Sequence, residues 1–311
     1  MTGPSSSAPR VLAPEDYRIA LAELETRTSD YSEWFERFAA DPSVMDELRS
    51  AVDPERPYFV ATMGNGIRFM GDARDFASVL SAAYPHCNAV LIGALIAQLG
   101  DEGGDVFDVG TNIGVVAASL ARHLGERGHV HAFEPTPDTA KLAAATFALN
   151  GVRNVTLSEI ALGDTDGTIT FQSTPGNTAI ASMATHDFAF HTEFEPITVP
   201  CRRIDTITRE RGIERLRLVK IDVEGEELSV LRGGRATFAG QRPTVVYEYT
   251  PAFADVGRYT AQSHLPLLSE AGATRFRALV EPPFDDANAP SLWLRFPFDS
   301  HVKSQVNVFA D

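Results

Sequence analysis

The chain predicts an α/β fold, a doubly wound parallel sheet with an N-terminal helical and hairpin extension, and three observations predict it. From Val106 onward, short apolar runs alternate with helix-like periodicity, as parallel strands joined by crossover helices require. The first run, Val106-Phe107-Asp108-Val109, breaks into Gly110-Thr111-Asn112-Ile113-Gly114, which reads as a strand turning sharply into a helix. About twenty residues further on, a second run, His129-Val130-His131-Ala132-Phe133, delivers Glu134 to the same sheet edge.

Taken in order, residues 1–13 are rich in Ser, Pro and Gly without an apolar stretch, and read as a disordered tail and not a signal peptide. Residues 14–100 form an extension that the sheet does not need. Within it, 14–51 is helical, with Tyr17, Ala20, Leu21 and Leu24 on one face and Trp34, Phe35 and Phe38 on the next. Residues 58–62 and 67–70, joined by Gly64-Asn65-Gly66, read as a hairpin. The apolar run at 89–99 is too short to span a bilayer and becomes the helix leading into the first core strand. This extension is either a cap over an acceptor or a dimerisation or packing element.

The core domain, 101–311, places strands near 105–109, 129–134, 155–160, 216–222, 243–249, 273–280 and 304–309, with helices such as 136–150 and 226–237 between them. The last two strands are expected to pair antiparallel. Residues 171–199 interrupt the alternation and read as a lid loop, rich in Gly, Pro, Thr and aromatics and carrying His186 and His191.

Ligands in such sheets sit at the carboxyl ends of the strands, where Glu134 can accept hydrogen bonds from both hydroxyls of a ribose. A dinucleotide site needs G-x-G-x-x-G, and this loop lacks the middle glycine. A P-loop needs a lysine after its last glycine, and none follows Gly114. S-adenosylmethionine (SAM) needs no phosphate cradle, and its sulfonium suits an acidic mouth.

Downstream, Ile160-Ala161-Leu162-Gly163-Asp164 and Val219-Lys220-Ile221-Asp222-Val223-Glu224-Gly225-Glu226-Glu227 follow in order, with Phe133-Glu134-Pro135 between them and the glycine loop. Over about half the chain, from Val106 to Tyr249, this set resembles the FkbM family of SAM-dependent methyltransferases, the K-I-D-V-E-G-x-E segment being its specific part. The resemblance implies a Rossmann-like class I methyltransferase fold of seven strands, SAM as donor, and O-methylation of a small molecule such as a natural product or sugar. It places Asp108, Gly110, Asn112 and Gly114 around the methionine part of SAM. Glu134 would hold the ribose, and Glu159, Ile160 and Ala161 would flank the adenine. Asp222 and Glu224 would face the methyl group and acceptor.

Charge narrows the acceptor. The 311 residues carry 42 acidic against 27 basic side chains, a formal net charge of -15, which disfavours a nucleic-acid partner. The Arg202, Arg203, Arg209, Arg211, Arg215 and Arg217 cluster is interleaved with acids and reads as a solvated face. Two cysteines, Cys87 and Cys201, without metal spacing, fit a reducing cytoplasm. The expected partner is a small-molecule acceptor, not a membrane, with a homodimer compatible with the dimerisation reading of the extension.

Methyl transfer to a hydroxyl needs alignment, exclusion of water and removal of a proton. Asp222 has the position for that proton, while His186 and His191 have the better unperturbed pKa; a site without a dedicated base is the third option. Glu248 is a further candidate for the proton and joins Glu224 as an acceptor-side residue. Asp222 could instead balance Lys220, which period-two alternation puts on the same face of its strand. Asp222, Glu224 and Glu248 could also hold a divalent cation through oxygen ligands, although a metal is not the favoured reading. A nucleotide-dependent oxidoreductase and a non-catalytic SAM-fold partner subunit are the rival classes.

Overall fold

The structure is a computed structural model that describes residues 9–173, 195–250, 263–280, 292–295 and 306–311. The N-terminal part contributes β1 (Val11–Leu12), α1 (Pro14–Glu25), α2 (Ser32–Ala40), α3 (Met45–Ala51), β2 (Tyr58–Thr62), β3 (Arg68–Asp72), α4 (Phe76–Ala83) and α5 (Ala89–Leu99). The helical stretch expected at 14–51 is thus three helices. Asp41-Pro42 ends α2, because a proline at that point cannot donate to the preceding turn. The β2 and β3 strands pair antiparallel, from Tyr58 opposite Asp72 to Thr62 opposite Arg68.

The core follows as β4 (Gly104–Val109), α6 (Val115–Leu124), β5 (Gly128–Phe133), α7 (Pro137–Leu149), β6 (Val155–Ser158), β7 (Ala161–Leu162), β8 (Gly167–Ser173), β9 (Glu195–Arg202), α8 (Ile204–Glu210) and β10 (Leu216–Ile221). It ends with α9 (Glu227–Gly233), α10 (Arg235–Gln241), β11 (Thr244–Tyr249), α11 (Leu265–Glu270), β12 (Phe276–Val280), β13 (Leu292–Arg295) and β14 (Val306–Ala310). The single helix expected at 226–237 divides at Gly233-Gly234, where the backbone passes directly against the Gly163 carbonyl.

The main sheet runs β1-β6-β5-β4-β10-β11-β14-β12-β13. Strands β6, β5, β4, β10 and β11 are parallel neighbours, and β14 is antiparallel to both β11 and β12. The terminal strands do pair antiparallel, but β13 intervenes in sequence and the last strand inserts inside the sheet. All five residues of β14 are buried, which suits that inner position. Among the described residues the sheet has nine strands where the sequence indicated seven, because β1 and β13 add short edges, β1 falling within the 1–13 stretch expected to be a disordered tail.

Along each central strand, alternate residues enter two separate cores. Val106, Val130, Leu218 and Val246 join the N-terminal helices, α6 and α7. Phe107, Phe133, Val219 and Tyr247 join α8, α9, α10 and α11 on the other face. The first core also takes Tyr17, Leu24, Phe38, Phe59 and Phe69, so the extension and the sheet share one apolar body.

The chain departs from β4 in one direction and from β10 in the other, which makes the gap between their carboxyl ends the topological switch point. Flanking it, β7, β9 and β8 form a small second sheet. Here the expectation of a loop over 171–199 is corrected at both ends. Phe171 pairs with Ile197 and Ser173 with Glu195, and Ile197, Val199 and Cys201 alternate along β9 with period two. Residues 174–194, with His186 and His191, lie outside the described residues.

Candidate active site

At the switch point lies a cavity of ≈ 280 Å³, near the lower end of the roughly 300–1,000 Å³ of small-ligand pockets. The β4–α6 loop from Val109 to Ile113, the β5 end from Phe133 to Thr136, and Ile160 to Leu162 line one side. Lys220, Asp222, Val223, Glu224, Glu226 and Glu248 line the ends of β10 and β11, while Ala77, Leu80, Ser81, Cys87, Asn88 and Leu91 come from α4, α5 and the turn between them.

Gly110 is forced by two constraints together. Its φ is +76°, and a Cβ there would stand 1.8 Å from the backbone oxygen of Asp222. The close approach that excludes a side chain is therefore to the neighbouring strand end, and the same approach brings the two halves of the switch point together. Gly114, expected beside the donor, does not line the cavity; a Cβ on it would lie 2.8 Å from the Phe147 ring, so it permits α6 to pack on α7.

Glu134 is buried and lines the cavity, accepting from the backbone N–H groups of Asn112 and Thr136, each at 3.1 Å. Burial pushes its pKa up to about 7, against the pull of those amides. A carboxylate oxygen can accept more than one hydrogen bond, so the group can also take a donor from a ligand. Asn112 holds the left-handed conformation, φ 50°, that turns its N–H toward the carboxylate. A buried acceptor-only group beside an apolar slot of Phe133, Ile160 and Leu162 fits an adenosyl group.

Asp108 and Glu159 lie elsewhere than expected. Asp108 is fully buried behind the loop, accepting from Thr111 Oγ1 at 2.7 Å and pairing with Lys220 Nζ at 3.4 Å, and it does not line the cavity. Glu159 pairs with Arg10 at 3.1 Å, and its N–H donates to the Arg10 carbonyl at 2.9 Å; Ile160 and Ala161 alone of that segment line the cavity. In both cases a nearby basic side chain claims the carboxylate.

Period-two alternation puts Asp108, Lys220 and Glu248 on the same sheet face, and the β10–β11 register carries Asp222 level with Glu248. Lys220 Nζ donates to the Gly110 carbonyl at 3.0 Å and lies 3.2 Å from Asp222 Oδ2. Burial works against its ammonium, but Asp222 and Asp108 outweigh it, and its pKa stands above the ordinary lysine value. Asp222 therefore does balance the buried lysine while still lining the cavity.

Asp222, Glu224 and Glu248 bring one oxygen each within 4.8 Å of one another, an arrangement that could hold a cation. Burial, then the charge of Asp222, raises the pKa of Glu224 and of Glu248 well above the usual carboxylate range. Glu227, the last residue of the K-I-D-V-E-G-x-E segment and given no role on sequence grounds, supports this turn by accepting from Val223 N–H at 3.1 Å and Gly225 N–H at 3.2 Å. The α4–α5 wall also escaped the sequence reading, because its residues are ordinary core types with no motif to mark them.

The arginine cluster is dispersed. Arg202 pairs with Asp166, Arg203 with Asp205, and Arg215 and Arg217 with Glu102, whereas Arg211 is packed inward, donating to Ser158 Oγ at 2.7 Å with its other nitrogen 2.9 Å from His131 Nδ1. No helix among the described residues is long and apolar enough to cross a membrane.

A family model described as the methyltransferase FkbM domain matches residues 108–274, just over half the chain. Over 174 residues the chain is 28% identical to the 2-O-methyltransferase NoeI of Sinorhizobium fredii, covering 52% of this chain and 70% of that protein. It is 31% identical over 140 residues to the hexuronic acid methyltransferase AglP of Haloferax volcanii, covering 45% of this chain and 53% of that one. Among solved structures, an FkbM methyltransferase from Methylobacillus flagellatus aligns with a TM-score of 0.44 at 14% identity, covering 95% of this chain and 59% of the other.

Proposed function

This chain belongs to the FkbM methyltransferase family, and from that premise we propose that it transfers a methyl group from SAM to a hydroxyl of a small molecule such as a sugar or natural product. The observation that carries the reading is Glu134, a buried carboxylate facing the cavity beside the glycine loop. In this reading Glu134 takes the ribose hydroxyls, the loop from Gly110 to Asn112 meets the methionine end, and Ile160 and Ala161 flank the adenine. Asp108 and Gly114 support the loop from behind. The relatives named for a 2-O-methyltransferase and a hexuronic acid methyltransferase support an oxygen nucleophile on a sugar or similar small molecule.

When bound, SAM supplies a methyl carbon already activated by its sulfonium. The chain's task is to bring the acceptor oxygen in line with that carbon, exclude water and take up the hydroxyl proton. Transfer would exchange the donor's C–S bond for a C–O bond to the acceptor, with S-adenosylhomocysteine as the product that leaves and the hydroxyl proton passing to the chain. Asp222 is the proposed proton acceptor, held in place by Lys220.

Calorimetry with S-adenosylhomocysteine tests the donor site, and labelled-SAM transfer over an acceptor panel tests the chemistry. Asp222→Asn is expected to leave donor affinity within a few-fold and to lower turnover by roughly 10²–10⁴. Unchanged turnover would remove Asp222 from the mechanism. A second reading, with a divalent cation on Asp222, Glu224 and Glu248, is favoured by their convergence. We take the ammonium of Lys220 as the resident cation beside Asp222, so chelation should leave transfer intact; loss with chelator and recovery with Mg²⁺ would establish the metal.

A further inference from the structure

The two sides of the cavity nearest the proposed acceptor differ in chemistry, and together they narrow the acceptor beyond a hydroxylated small molecule. The inference rests on the donor placement proposed above. With the adenosyl group against Glu134, Ile160 and Ala161, the strand ends left for the acceptor are those of β10 and β11. Lys220 and Glu248 lie on the sheet face covered by α4 and α5, and Ala77, Leu80 and Leu91 of those helices line the cavity. That wall offers dispersion contacts and no charge.

The strand ends offer the opposite. Asp222, Glu224, Glu226 and Glu248 all line the cavity, and among the described residues lining it Lys220 is the one basic side chain. Its ammonium is already engaged, donating to the Gly110 carbonyl at 3.0 Å and ion-paired with Asp222 at 3.2 Å and Asp108 at 3.4 Å. A carboxylate or phosphate brought here would give up its water, compete with Asp222 for the one ammonium, and find no cation of its own. A neutral hydroxyl, by contrast, donates to a carboxylate while the rest of the molecule lies on the apolar wall.

We propose that the acceptor end selects against anions, taking a hydroxylated acceptor that has an apolar face and carries neither carboxylate nor phosphate, because among the described residues the cavity holds no cation beyond Lys220 to pair with one. Matched pairs test this. Aryl glucosides and the corresponding aryl glucuronides share the apolar aglycone and the secondary ring hydroxyls, and differ by CH₂OH against COO⁻; hydroxylated aromatic amides and their parent acids make a second set.

Transfer from labelled SAM gives kcat/KM for each member. For pairs below detection, ligand-observed NMR on the protein saturated with S-adenosylhomocysteine gives the ranking by binding. The neutral member is expected to lead by about tenfold or more, as the cost of desolvating an unpaired anion dictates. Leu80→Lys, which brings a cation to the apolar wall, should narrow the lead several-fold at unchanged S-adenosylhomocysteine affinity, and Ala77→Lys serves if that variant does not fold. Anionic members used or bound as well as their partners would overturn the proposal, as would a donor-loaded protein that binds no neutral member of the panel. Failure to bind S-adenosylhomocysteine at all would instead overturn the donor site itself.

Discussion

Glu134 carries the clearest pH signature of any single residue in the site. Burial raises its pKa to about 7, so below that value the neutral acid is favoured in the folded protein. A neutral carboxyl loses acceptor capacity, which a ribose needs from both oxygens. Affinity for S-adenosylhomocysteine is therefore expected to rise as pH rises through about 7, and calorimetry across that window on the wild type and Glu134→Gln checks it, the variant showing a flat profile. The same shift has the opposite sign for the empty protein. A carboxyl whose folded pKa is raised binds more protons when folded than when unfolded, so Glu134 and Glu227, both at about 7, withdraw stability as pH rises from the ordinary carboxylate range through that value. Donor binding and intrinsic stability should thus move in opposite directions over one pH interval. Gly110 shows the other kind of residue effect: its place in the motif was legible, but the Asp222 carbonyl that forbids a side chain there belongs to a distant part of the chain.

Among the elements, the short N-terminal strand has a larger role than its length indicates. Strand β1 extends the sheet beyond β6, and α1 lies against α7. The pivot is Tyr17, whose hydroxyl accepts from Leu157 N–H at 3.0 Å and lies 3.1 Å from the carbonyls of Leu12 and Val155. The ring itself is buried edge-on to Phe147. Tyr17→Phe keeps that packing and leaves buried backbone groups without their partner, so it is expected to cost about 1–3 kcal/mol in urea unfolding while donor affinity of the folded protein holds. Helical periodicity correctly put Tyr17, Ala20 and Leu24 on one buried face. It could not show that Tyr17 reaches across to β6, because a hydrogen bond spanning 138 residues has no local pattern.

For the whole molecule, the extension and the sheet share one core rather than meeting at a surface. Phe38, Phe59 and Phe69 are buried in the same apolar cluster as Leu120 and Phe147, and Met70 N–H donates to Thr146 Oγ1 at 3.1 Å inside it. A cap over the acceptor would come away cleanly; this part would not. Deleting residues 1–72 is expected to expose α7 and to abolish both cooperative thermal unfolding and S-adenosylhomocysteine binding, measured by circular dichroism and calorimetry. A truncated protein that melts cooperatively and holds the donor would restore the separable-cap reading. What the extension gives the site is narrower than a lid: the α4–α5 segment that forms the apolar wall of the cavity.

The sequence by itself determined the α/β class, the strand alternation and the loop, strand ends and carboxylates that gather at one edge, because period-two burial and a glycine turn are local signals. Lys220 opposing Asp222 was also readable, from their spacing on one strand. Only the tertiary structure decided which of those residues face the cavity. Asp108 and Glu159 carry the right chemistry in the right segments, yet Lys220 and Arg10 turn them away, and both partners come from elsewhere in the chain. The wall from α4 and α5 and the insertion of β14 between β11 and β12 arise in the same way, whereas the meeting of Asp222, Glu224 and Glu248 was already an option on the sequence. Motifs fix which atoms arrive at a strand end, whereas long-range packing fixes what each atom meets there.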